Sequence, residues 1–426
     1  MREDFLHYLW KYKKFDFTNA KTTQGEKLLL IDSGTHNFNS GPDFFNARLK
    51  IGDQLWAGNV ELHIKASDWY FHQHEKDTNY DNVILHVVWE DDVEVQRQNR
   101  TSIPALSLKS LVDQDLLMGY RQLFASPENW INCEKNFKEV DDFTLRHWQE
   151  RLYLERLEEK SILILDLLEK SGNNWEAVLF QMLAKNFGLN LNGDAFLSMA
   201  QSLDFSMVQK SSQNNLQLEA LFIGQAGLLS KQFNLPYYKK LQQEYAYLKH
   251  KYKLSNSGVI PPKYFRLRPD NFPNIRLSQL ASLYFKQKNL FSELIASKSL
   301  EPIYKILDVE TSEFWRQHYS FPKKHREREK RLSPAFKDLV LINTIIPLRF
   351  CYSQSRGNDE IEILLDLIEK IPAENNKIVQ NFNKIKNGST QNALHSQAMV
   401  HLKKNYCDAN KCLDCAIGVK LLQRKT

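Results

Sequence analysis

The chain lacks any apolar run long enough to cross a bilayer, which takes about 20 consecutive apolar residues. Its opening segment, MREDFLHYLW, carries acids and has neither the apolar stretch nor the small-residue cleavage site of a secretory signal. Cytoplasmic residence without a membrane span is the expectation. No sequence repeat and no long low-complexity tract interrupts the 426 residues, a length that implies two or three domains. Charge is only mildly unbalanced: a formal net charge of +6 permits binding to nucleic acid and does not require it. Cysteine is scarce. There are five, and three of them crowd into nine residues near the end, which speaks for metal rather than for disulfides. The H-E-x-x-H motif is missing too, which counts against zinc hydrolysis of a small substrate through His72 and His74.

What is present is a soluble, globular composition, with 42% hydrophobic and 25% charged residues, able to bury a core. The pattern divides it. Residues 1–115 read as mixed α/β: a short helix over 3–12 with Phe5, Leu6, Leu9 and Trp10 on its apolar side, then strands over 27–32, 44–51, 55–65 and 83–89. In the third strand Val60, Leu62 and Ile64 point one way, and Glu61, His63 and Lys65 the other. The fourth, VILHVVW, is apolar on both faces and reads as a buried central strand. Residues 116–426 read as a mostly helical domain. Leu154, Leu157, Ile164, Leu165 and Leu168 recur at helical spacing, with Gly172 as a stop. Further helices are expected near 174–187, 215–230, 236–253, 275–287, 334–353, 358–370, 374–386 and 390–405. Ser333-Pro334 begins one of them, and Pro347 should kink or end it. The fold class is α+β.

The chemistry concentrates between Gly41 and Trp89. Pro42-Asp43 opens one strand, Glu61-Leu62-His63 lies within the next, and His72, His74, Asp77 and His86 follow. Two carboxylates converging on one ion suit Mg²⁺ or Mn²⁺, which take oxygen ligands and keep waters for chemistry, while imidazoles favour a softer ion. Asp43 and Glu61 are the expected metal ligands, with Glu3 or Glu26 as a further acid. His72 is placed on phosphate or metal; His74 reads as a solvated histidine and His86 as buried structure. Trp56, Trp69 and Trp89 read as core, Trp69 alone being near enough to a charged loop to stack on a base.

A Pro-Asp pair followed by an acid-x-basic triplet on the next strand resembles the PD-(D/E)XK nuclease superfamily. That resemblance implies a small, restriction-endonuclease-like αβββαβ core that presents two acids to a divalent cation while a lysine positions the attacking water. Asp43 matches the first acid and Glu61 the second. His63 stands where the lysine belongs, and Lys65, two residues on, offers an ammonium on the same face. The implied catalytic set is Asp43, Glu61, His63 and Lys65, hydrolysing phosphodiester bonds of DNA or RNA. The alternative is a non-catalytic nucleic-acid-binding or scaffold protein whose nuclease-like core has lost its lysine. Across a longer span, GPDF, GNVELHIKASDW, VILHVVW, RLRPDNFP and CLDCAIG resemble a bacterial family known as a domain of unknown function.

Cys407, Cys412 and Cys415 form C-x4-C-x2-C, a spacing found in iron–sulfur ligation. Cys351 or Cys133 would complete four sulfurs for a cluster or zinc; His395 or His401 would complete a Cys3His zinc site. Arg266, Arg268 and Arg276, set around two prolines before a helix, are expected to grip phosphate. The KKHREREKR run over 323–331 reads as a solvated helical face with local ion pairs.

Overall fold

The computed structural model describes residues 1–125 and 128–423. It forms two compact units: Met1–Trp148 with residues 384–387 and Leu402–Thr426, and Gln149–Asn383 with Gly388–His401. Among the described residues no helix is long and apolar enough to cross a membrane.

The first unit is built on one mixed sheet. Helix α1 (Glu3–Lys11) buries Phe5, Leu6, Leu9 and Trp10, places Glu3 and Asp4 at its positive end and Lys11 at its negative end. The strands are β1 (Leu28–Asp32), β2 (Thr35–His36), β3 (Phe44–Ile51), β4 (Gln54–Lys65), β5 (Val83–Glu90) and β6 (Ala105–Ser107). They lie in the order β1-β3-β4-β5-β6, with the two-residue β2 beside β3. The pairs β1–β3 and β3–β4 are antiparallel; β4–β5 and β5–β6 are parallel.

A hairpin can join antiparallel neighbours, but a parallel step needs a crossover of a dozen or more residues. Residues 66–82 make that crossover, with helix α2 (Asp68–Phe71) and two 3-10 turns. Val60 and Leu62 of β4 join α1 and Leu85, Val87 and Trp89 of β5 in one core. Behind β5, Trp69 and Tyr80 of the crossover pack with Val83, Val88, Val95 and Ile103 in a second. All of β5 but its last residue is buried, as expected of a central strand. Trp69 is wholly inside, its Nε1 donating to the Gln96 carbonyl at 3.1 Å, so it is core and no stacking platform.

The second unit is helical. Ser333 caps Pro334–Val340 as expected, its side chain accepting the Phe336 N–H at 3.3 Å. Pro347 neither ends that helix nor breaks it. A π-helical turn, Leu341–Ile345, absorbs it before Ile346–Ser355. Ile346 N–H reaches back five residues to Leu341, so the next carbonyl, that of Ile342, faces a proline that has no N–H. Lys160 Nζ donates to it instead at 3.1 Å, and Asn186 Nδ2 donates to the Asn343 carbonyl at 3.2 Å. The run over 323–331 is a correction: it is extended, not helical. It offers no apolar stripe for a helix to bury, whereas an extended chain sends Lys330 inside onto the Trp315 and Arg316 carbonyls. The ion pairs are there, among them Arg331 with Glu329 at 3.0 Å and with Asp308 at 3.2 Å.

Candidate metal centre

Five neighbouring pieces of the first unit supply one cluster of acids and imidazoles. Helix α1 carries Glu3 and His7 one turn apart, hence on one face. Ahead of β3, the Asn37 side-chain amide donates to the carbonyls of Asn39, Ser40 and Pro42, each at 3.1 Å, and fixes the loop that delivers Asp43. Strand β4 presents Glu61 and His63 on the face that alternation gives them. Parallel pairing sets His86 of β5 opposite Glu61. Between His72 and His74, Gln73 adopts a left-handed conformation, and the chain turns there above the sheet.

The contacts are short. Asp43 N–H donates to Glu61 Oε2 at 3.0 Å, and Leu62 N–H donates to Asp43 Oδ2 at 2.9 Å. His7 Nε2 stands 3.2 Å from Asp43 Oδ2. Glu61 Oε1 lies 3.3 Å from His74 Nε2 and 3.5 Å from His63 Nε2. His63 then bridges two more rings, with Nε2 at 3.1 Å from His72 Nδ1 and Nδ1 at 2.8 Å from His86 Nε2. Among the described residues, His63, His72 and His74 are the group whose ligand atoms all lie within 4.8 Å of one another. Trp69 and Tyr80 back the rings, Tyr80 stacking on His74 at 3.8 Å between centroids.

Burial decides the charges. It pushes the Glu61 carboxyl up to about 9, with the Asp43 charge adding to the effect. It holds His63 down at about 2, helped by the surrounding imidazoles, and His86 at about 3. His74 is lowered for the same reason. His7 goes the other way: burial opposes its charge, but the hydrogen bond and charge of Asp43 outweigh burial and raise it. The outcome is a raised His7 at Asp43, with His63, His74 and His86 held low and the Glu61 carboxyl held high beside it. Neutral imidazoles are the form that binds metal, and a cation would displace the Glu61 proton. Three nitrogens and one carboxylate suit zinc or manganese better than magnesium, which prefers oxygen throughout.

The chain belongs to the family described as Protein of unknown function (DUF2851), whose model matches residues 3–377. No curated protein and no solved structure matches it. The matched span takes in Glu3, His7 and every other residue of this cluster, and it stops short of Cys407, Cys412 and Cys415.

Asp43, Glu61 and His63 are thus drawn together, and His72 joins them. Lys65 is exposed at the end of β4, where its charge acts on Asp92. Glu26 is exposed, its backbone N–H bonded to Thr22, while Glu3 feels Asp43, His7 and His72. Arg266 and Arg268 are exposed in the second unit, but Arg276 is buried there. Its guanidinium donates to Gln279 at 2.9 Å and lies 3.6 Å over the Phe336 ring, so it is spent inside the fold and faces no phosphate. His7 went unnoticed in the sequence, and His74 and His86 were read as solvated and structural. The Glu3-x-x-x-His7 spacing on a helix was the one visible signal for the first. Nothing local marks the others, because their meeting depends on the crossover and on strand register.

Proposed function

We propose that the chain is a metal-dependent, nuclease-like phosphodiester hydrolase whose cation is held by His63, His72 and His74 together with Glu61. One observation carries this reading: three imidazoles gather within 4.8 Å, and a buried carboxylate touches two of them. The bound ion would acidify a water and offset the charge that develops on the phosphate. The remaining work falls to the chain's own side chains. His7, raised by Asp43, is placed to neutralise a phosphate oxygen or to hand a proton to the leaving oxygen. His86 fixes the ring orientation of His63 from behind. Asp43 orients His7 and, through its own N–H, the Glu61 carboxyl.

Two further features support a nucleic-acid substrate. The succession of α1, β1, β3, β4, the α2 crossover and a parallel β5 is the αβββαβ order of the PD-(D/E)XK superfamily, once β2 is set aside. Phe38 and Phe71 are 79% and 82% exposed, and their rings adjoin His36 and His72 at 4.3 and 5.6 Å. Exposed rings beside a phosphate site are stacking platforms for unpaired bases.

The test is cleavage of single- and double-stranded DNA and RNA with Mn²⁺, Zn²⁺ or Mg²⁺, comparing wild type with Glu61→Gln and His74→Ala. Metal-dependent cleavage lost in both variants is the expected result. Equal cleavage by all three proteins would identify a contaminant and remove the proposal. The replacement of the lysine by His63 favours one other reading, a binding module without turnover. Oligonucleotide binding that survives chelation, with no cleavage under any metal, would establish that reading instead.

A further inference from the structure

Four of the five cysteines end in one place in the first unit, although they come from opposite ends of the sequence. Cys407 closes the π-helical turn Leu402–Cys407, and Cys412 and Cys415 follow in the loop before the helix Ala416–Leu422. Cys133 arrives from a separate turn, in which the Asn136 and Phe137 N–H groups both bond its carbonyl. Its neighbour Asn132 ties the two segments together, Nδ2 donating to the Cys412 sulfur at 3.3 Å and to Asn410 Oδ1 at 3.0 Å. Cys133 packs against the same core that contains Cys412. Electrostatically, Cys133 feels Cys412 and Cys415, and Cys407 feels all three others. The fifth, Cys351, is buried in the second unit and takes no part.

We propose that Cys133, Cys407, Cys412 and Cys415 ligate an iron–sulfur cluster. All four are free thiols, with Cys412 and Cys415 9% and 7% exposed. Four sulfurs confined together without a disulfide have no structural use that a smaller apolar residue would not serve. Burial raises every one of these thiols, as an apolar surrounding does. The surroundings are nonetheless those of a thiolate: the backbone N–H groups of Ile417 and Gly418 point at the Cys415 sulfur. Gly418 is required for that approach, since a side-chain carbon there would fall inside contact distance of the Cys412 carbonyl.

The spacing favours a cluster over zinc: C-x4-C-x2-C joined by one remote cysteine is an iron–sulfur ligand pattern. A cavity of about 300 Å³ lined by Asn132, Cys133 and Leu422 gives access to the place. On assembly of a four-iron cluster from two ferrous ions, two ferric ions and four sulfides, no iron changes valence and four S–H bonds are exchanged for four Fe–S bonds. The four protons leave to solvent, and the cysteines are not oxidised. Because Cys133 and Cys407 to Cys415 come from distant parts of the chain, the cluster would staple the returning C-terminal segment to the sheet unit. This inference does not depend on the histidine centre.

The test is iron, zinc and acid-labile sulfide analysis with a visible spectrum, on the full chain purified without oxygen and again after reconstitution with ferrous and ferric iron and sulfide. A coloured protein with about two to four irons and matching sulfide per chain is expected. Cys133→Ser should retain about tenfold less iron, and Cys351→Ser should keep all of it. Should Cys133→Ser fail to fold by circular dichroism, the wild-type iron and sulfide content decides alone. Stoichiometric zinc without iron would overturn the cluster. A colourless, metal-free protein that stays folded after reconstitution would overturn the site.

Discussion

Asp43 and Glu61 are locked to each other through the backbone: the N–H of Asp43 holds Glu61 Oε2 at 3.0 Å, while the N–H next to Glu61, that of Leu62, holds Asp43 Oδ2 at 2.9 Å. The two substitutions should therefore differ in kind. Asp43→Ala leaves the Leu62 N–H without a partner and should cost about 1–3 kcal/mol in urea unfolding. Glu61→Gln keeps an acceptor for Asp43 N–H, so its loss of cleavage should come with little loss of stability. Equal destabilisation by both would show that the reciprocal lock is not what orders this loop.

Removing any one of His63, His72 or His74 should weaken zinc or manganese binding, measured by calorimetric titration, by well over tenfold. His86→Ala touches the ion only through His63 and should weaken it by about 10–100-fold. Unchanged affinity in the His74 variant would exclude that ring from the ligand set.

Phe71→Ala should reduce affinity for a single-stranded oligonucleotide by about 1–3 kcal/mol with no effect on folding, since the ring is 82% exposed. Fluorescence anisotropy at fixed salt reads this directly. The same affinity in wild type and variant would leave the substrate class without its aromatic support.

Gly58 admits no side chain. A carbon added there would sit 2.5 Å from Ile84 Cγ2 and 2.7 Å from the Asn82 carbonyl. Gly58→Ala should destabilise the sheet unit by about 1–3 kcal/mol through overpacking. Gly258→Ala, with nothing within 4 Å, should stay within about 0.5 kcal/mol of wild type.

Lys160 gives the second unit a pH dependence. Burial, and then Arg156, hold its ammonium down at about 7 against an ordinary 10.5. Between those values the unfolded chain binds a proton that the folded chain does not, so stability should rise with pH across that window. Below about 7 and above about 10.5 this group contributes no slope. The rise is bounded by about 1.4 kcal/mol per pH unit, tempered by the acceptors on Nζ, Ile342 O, Asn343 Oδ1 and Gln397 Oε1. Lys160→Met should flatten it in unfolding curves taken at several pH values; an unaltered slope would assign the effect elsewhere.

Much of the sheet was legible because its strands are long enough to show a period. Phe44–Ile51 was read without error, and β1, β4 and β5 to within a residue or so. Thr35–His36 and Ala105–Ser107 are two and three residues long, and no alternation can show in so short a span. The acids of the centre were visible in Pro-Asp and Glu-Leu-His. His63 and His72 were picked out with them, but His74 and His86 were not, because they reach His63 only through the fold of the crossover and the register of β5. In the second unit, the helices Leu189–Gln201, Phe205–Ser211, Leu290–Ala296 and Leu300–Ile306 were missed. Three of the four are seven residues long, and the fourth, Leu189–Gln201, follows directly on another helix with only Gly188 between, so no polar stretch announces them. The expected helix over 323–331 failed for the opposite reason: charge alone was read as periodicity.

Pro347 has a consequence beyond the widened turn around it. A helix whose carbonyls are all met by its own ladder is oriented about its axis by side-chain packing alone. Withholding one donor adds a polar constraint: the Ile342 carbonyl is met by Lys160, and the next one, of Asn343, by Asn186. The proline acts as a keyway, fixing which side of this rod its neighbours meet.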